Sequence, residues 1–316
     1  LRGPKDAEIN KEFGMKNFII FILTLLFFSS FSLYAIAQDN PSSNECSINQ
    51  LYRDVTRITF PTRAEFDKGK QYENLHIAMD YTVEILKRNP ASLEAYCALA
   101  HIRYGLEYNQ KATEKYKIWK KKYLNALADP DTDSAEKLVF MAVLYNEDPD
   151  VYNDKPLEKN HKICVDGLKK MKDECKNRDY AALATLILFS ERNKNLHCFE
   201  FLEKFPSHVA VPIVKLSIAT GHIFIDKDYD KCIAETNNLY NRYKNNEMPD
   251  GWKFSINCYE ILAWAYIAKK DMKNATKYYN LIKESVPDFP NLRGIKYHLD
   301  GGNETFLKRM NQKNQE

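Results

Sequence analysis

Apolar residues recur along this chain in three- and four-residue steps, the period of helices with one buried face. Near the C-terminus Tyr259, Leu262, Ala263 and Tyr266 share one face of a predicted helix. Ala275, Tyr279 and Ile282 share a face of the next, and Pro287 closes it. Upstream, Ala78 and Ile85 lie on a helix that stops before Pro90. Tyr96, Leu99 and Ala100 lie on the following one, and Ala112, Tyr116 and Trp119 on the one after, with Ala78 and Ala112 34 residues apart. Looser copies lie between. Leu138, Met141, Ala142 and Tyr145 form one. Tyr180, Leu183, Ala184 and Ile187, closing at Pro206, form a second, and Leu216, Ala219, Thr220 and Ile223, then Cys232 and Leu239, a third. With ten glycines in 316 residues and no sustained two-residue alternation, the pattern predicts an all-α chain.

The small residues have a steric purpose. Two helices of a hairpin cross closely only where Ala or a similar side chain stands at the crossing, while Tyr, Leu and Trp fill the space between hairpins. One hairpin cannot bury its own apolar face, so it stacks on copies of itself. The spacing resembles the tetratricopeptide repeat family, most clearly at residues 58–124 and 256–289. The resemblance implies an α-α superhelix of about five to six hairpins over residues 48–310. A cap helix is expected at 48–58, a closing helix from Gly294 and a disordered tail at 311–316. It also implies a groove lined by the first helix of each unit. Carried onto this chain, the groove positions are Glu94, Cys97, His101 and Tyr104, then Phe224, then Asn257, Glu260, Trp264 and Ile267. The Lys, Arg and Asn set with which such repeats clamp a peptide carboxylate is missing. An aromatic groove suits an apolar or amphipathic segment of a protein or peptide partner.

Residues 15–37 stand apart from the repeats. Met15 and Lys16 lead an uncharged apolar run that ends at Ala35-Ile36-Ala37, the composition of a secretory signal peptide cleaved after Ala37. The run is also long enough to serve as an uncleaved anchor. Either way the remainder is expected outside the cytoplasm, in a periplasm or secreted, with 38–47 as a flexible lead and no membrane insertion after cleavage. Residues 1–14 read as a translated upstream stretch, since Lys11-Glu12 is encodable as a bacterial ribosome-binding site just before Met15.

Charge narrows the partner class. Beyond residue 37 the chain carries 42 basic and 40 acidic residues, a near balance that gives no electrostatic basis for nucleic-acid binding. The lysine-rich run Lys111–Lys122 interleaves Tyr116, Trp119 and Tyr123, and reads as a solvated face over packing aromatics.

Catalytic and metal chemistry has little to stand on. Phosphate-cradling glycine loops, nucleophile elbows and zinc-binding histidine pairs do not occur. His161 and Cys164 supply two ligands where a metal needs three or four. The alternating aspartates 129/131/133 and 226/228/230 lack the Gly and Glu of a calcium loop and read as helix starts. No cofactor or metal is expected. An enzyme with its site near Asp148–His161 is the remote alternative. The seven cysteines are expected mostly reduced, with Cys164–Cys175 or Cys175–Cys198 as candidate bridges.

Overall fold

The computed structural model describes residues 46–59, 75–107, 114–146, 159–188 and 194–301. The leader at 15–37, the tail at 311–316, Ala112 and the Asp148–His161 loop up to residue 158 lie outside the described residues, as do the side chains of Tyr104, Tyr116 and His161. The described residues form thirteen helices and no strand. The all-α expectation is met there. No described helix is long and apolar enough to cross a membrane. The structure groups into two compact units, with the boundary in the chain between Val211 and Pro212.

The N-terminal unit holds α1 (Ile48–Thr59), α2 (Leu75–Arg88), α3 (Leu93–Glu107), α4 (Glu114–Ala128), α5 (Ser134–Asn146), α6 (Lys159–Glu174), α7 (Arg178–Ile187) and α8 (Lys194–Lys204). The odd helices α1, α3, α5 and α7 pack in series. Each hairpin partner lies beside them, with α2 on α1, α6 on α5 and α8 on α7. This is hairpin stacking, with one departure. Helix α5 packs on α2, α3, α4, α6 and α7. The cause is local sequence: every residue from Leu138 to Tyr145 is apolar and buried, so α5 has no polar face to leave in water. Lys87 of α2 reaches Glu136 of α5 at 2.8 Å. Tyr180 of α7 donates its hydroxyl to the Leu86 carbonyl of α2 at 3.1 Å. On the far side, a Cβ on Gly167 of α6 would stand 2.5 Å from the Met141 sulfur, so α5 and α6 meet where a side chain is missing.

The C-terminal unit holds α9 (Val211–Phe224), α10 (Tyr229–Tyr243), α11 (Phe254–Ala268), α12 (Met272–Ser285) and α13 (Leu292–Leu299). Here α11 packs on α10 and α12, and α13 closes over both α11 and α12. Ala263 and Ala275 are fully buried among Ile256, Ile267, Ile282, Phe289 and Ile295, as the crossing requires. Pro287 is exposed just beyond α12.

Both hairpins of this unit turn by the same device. Lys227 and Lys270 take positive φ, 59° and 65°, and the next residue caps the following helix. Asp228 accepts from the Lys231 N–H at 3.0 Å, and Asp271 from the Asn274 N–H at 3.1 Å. At the second turn the Lys270 N–H returns to Ile267 and the Asp271 N–H to Tyr266, satisfying the last carbonyls of α11. The two turns are 43 residues apart, against the 34 of the repeat. The extra length sits in the α10–α11 loop. There Gly251 at φ 84° and an isolated bridge between Glu247 and Lys253 fold the connection back before Phe254.

Candidate functional site

The groove positions take different fates. Glu94 and Trp264 are half-buried. His101, Phe224, Glu260 and Ile267 are buried, none more than 4% exposed, so the expectation that they line an open groove is corrected there. His101 packs its ring 5.5 Å from Tyr52 and sets Nδ1 3.3 Å from Thr56 Oγ1, joining α3 to α1. Full burial holds it well below the ordinary histidine pKa, a neutral core residue. Glu260 is sealed by the end of α13, where the Asn291 side-chain amide donates to its carboxylate. Trp264 is covered from the same helix, its ring edge-to-face with His298 at 5.3 Å and beside Gly294. Helix α13 therefore lies over the stretch of α11 on which the resemblance places its groove.

The packing positions fare better. Ala78, Leu99, Leu262, Ala263 and Ala275 are buried, while Tyr96, Ala100, Tyr259, Tyr266 and Tyr279 are half-buried. Two of these tyrosines belong to a larger arrangement. Tyr240 of α10, Tyr259 and Tyr266 of α11 and Tyr278 of α12 form a continuous row of rings. Successive centroids are 5.5, 5.9 and 5.7 Å apart along Tyr240, Tyr259, Tyr278 and Tyr266. The Tyr259 hydroxyl donates to that of Tyr240 at 3.1 Å. All four rings are half-buried, and those of Tyr259, Tyr266 and Tyr278 pack against the core. Burial, then the Tyr240 hydrogen bond, raises the Tyr259 pKa. Burial and the neighbouring tyrosines do the same for Tyr278, so these hydroxyls stay protonated donors. The ammonium groups of Lys244 and Lys277, both exposed, lie 5.5 and 5.4 Å from the ring centres of Tyr240 and Tyr278. Tyr240, Tyr278 and the two lysines escaped the sequence reading. They fall outside the repeat positions and lie on helices other than the one that carries Tyr259 and Tyr266, so only tertiary contact brings them into the row.

A polar cluster sits between α9 and α10. The buried His222 places Nδ1 2.5 Å from Asp226 and Nε2 3.2 Å from Glu235. Opposite sides of one ring face the two carboxylates, one just beyond the α9 C-terminus and one on α10. Such a ring cannot gather both carboxylates around one ion, and no group of three metal-ligating side chains occurs among the described residues. Two of the alternating aspartates cap helix starts. Asp133 accepts from the Ala135 N–H at 2.8 Å and Asp228 from that of Lys231. All seven cysteines are free, so neither candidate bridge forms. Cys164 and Cys198 are buried core residues, and burial pushes the Cys232 thiol up to about 12.

Compared with family models, curated proteins and solved structures, the chain has no match.

Proposed function

We propose that this chain is an exported, non-catalytic adaptor of the tetratricopeptide-like kind, which holds a protein or peptide partner in a bacterial envelope. The observation that carries the reading is the half-buried tyrosine row of the C-terminal unit, spread over α10, α11 and α12. Stacked hairpins supply a rigid frame, and a row of aromatic rings with hydroxyl and ammonium groups beside it is the chemistry of a contact surface. The signal-like segment at 15–37 favours the periplasm or the exterior as the place of action.

A photo-crosslinking residue placed at Lys277, with the full chain produced in its native cells, tests the reading. The expected result is one defined protein adduct in the envelope fraction, absent when the crosslinker stands at Lys121 of α4. Equal, diffuse labelling from both positions removes the reading. Recovery of the same adduct from culture medium assigns the chain to a secreted factor acting on another cell.

A further inference from the structure

The tyrosine row has a definite length, a definite charge and a definite set of donors. Its three ring-to-ring steps add to no more than about 17 Å, the reach of about six residues of extended polyproline-type chain at ~3.1 Å each. Lys244 stands at the Tyr240 end and Lys277 over Tyr278, and neither forms an ion pair among the described residues. Two acids of the same unit are engaged: Asp230 pairs with Lys269, and Asp271 caps α12. The row thus offers ring edges, protonated hydroxyls and two cations that form no ion pair among the described residues.

Resting on the proposed partner-binding role, we infer that the row receives an extended acidic segment of a protein partner. The peptide runs along the edges of the rings, whose faces are taken up by one another and by the two lysines. Its carboxylates meet Lys244, Lys277 and the tyrosine hydroxyls. A helical partner would present charges on a 5.4 Å pitch but would need a groove to bury its apolar face. The groove-facing side of α11 is covered by α13. An extended segment needs only a strip.

The test uses fluorescein-labelled decapeptides of alternating Glu and Pro, Gln and Pro, or Lys and Pro, titrated against the full chain by fluorescence anisotropy. The Glu peptide is expected to bind at least tenfold more tightly than the Gln peptide, with the Lys peptide weakest. Raising salt from 50 to 500 mM is expected to erase most of that difference. The pair Lys244→Gln and Lys277→Gln, both at exposed positions, is expected to bring the Glu peptide to the level of the Gln peptide. Tyr278→Ala is expected to weaken both peptides, with circular dichroism unchanged. Equal binding of the Glu and Gln peptides overturns the acidic assignment, as does unaltered Glu-peptide binding by the lysine pair. Binding of none of the three overturns the extended-segment assignment. A defined adduct at Lys277 in native cells, alongside that last result, leaves the adaptor role standing and removes only the class of partner.

Discussion

The two units build hairpins from the same materials and arrive at different packing. In the C-terminal unit α11 meets its sequence neighbours α10 and α12, with α13 reaching back over α11. In the N-terminal unit α5 is apolar on every side and draws α2 and α7 in with it, so that Lys87, Leu86 and Tyr180 connect helices far apart in the chain. A repeat stays one-dimensional only while its helices keep a polar face. Once one helix loses that face, helices that a regular stack would hold apart converge on it.

The contrast is broken most directly at α5. Leu138 is fully buried, and Leu138→Ala is expected to cost about 3 kcal/mol and to lower amide protection across α2, α3, α5 and α7 together. Hydrogen exchange read by mass spectrometry checks this. Protection lost only within α5 would deny it the role of a hub. The matching change in the other unit is Ala263→Leu, at the α11–α12 crossing. It is expected to cost about 2 kcal/mol by overpacking and to shift the emission of Trp252 and Trp264, which share that core. Unchanged emission and stability would place the crossing elsewhere.

Helix type and the positions of most buried faces were legible in the sequence, because a period near 3.6 and a proline after the last turn are local signals. The hairpin around Ala263 and Ala275 needed nothing else. The groove was less legible: Glu260 and Trp264 read as open because nothing local to α11 signals that α13 folds back over it through Asn291. The division into two units was hidden for a similar reason, as a run of apolar positions does not say which helices share a core. The tyrosine row was half visible. Tyr259 and Tyr266 were marked as packing residues, but Tyr240 and Tyr278 join them only through tertiary contact.

An electrostatic joint in the N-terminal unit sharpens the comparison further. Glu200 of α8 takes hydrogen bonds from Lys204 at 2.8 Å and from Lys172 of α6 at 2.9 Å. Burial opposes its ionisation, yet the two ammonium groups outweigh that cost and hold the carboxyl at about 2. A depressed carboxyl stabilises the fold fully above its unfolded value of 4.5, and that stability is lost as pH falls through about 2. Glu200→Gln is expected to cost about 1 kcal/mol at pH 7, once solvent at this partly open site is allowed for. The gap in urea midpoint between variant and wild type is expected to close as pH falls from about 4.5 to 2. A gap constant over that range would mean the pair contributes only packing.

The smallest effect concerns the turns that keep the C-terminal unit regular. Lys270 holds φ 65°, a conformation in which its Cβ is crowded and which glycine adopts freely. Its side chain is exposed, so the backbone term dominates. Lys270→Gly is expected to raise stability by about 0.5 kcal/mol, the relief of strain exceeding the entropy that glycine adds to the unfolded chain. Lys227→Gly tests the equivalence of the two turns, since Lys227 has φ 59° ahead of the same kind of aspartate cap. A gain at both positions in thermal unfolding, with none from Lys270→Ala, assigns the effect to φ. A loss at Lys270 would mean that this lysine, rather than the Asp271 cap and the returning N–H groups, secures the turn.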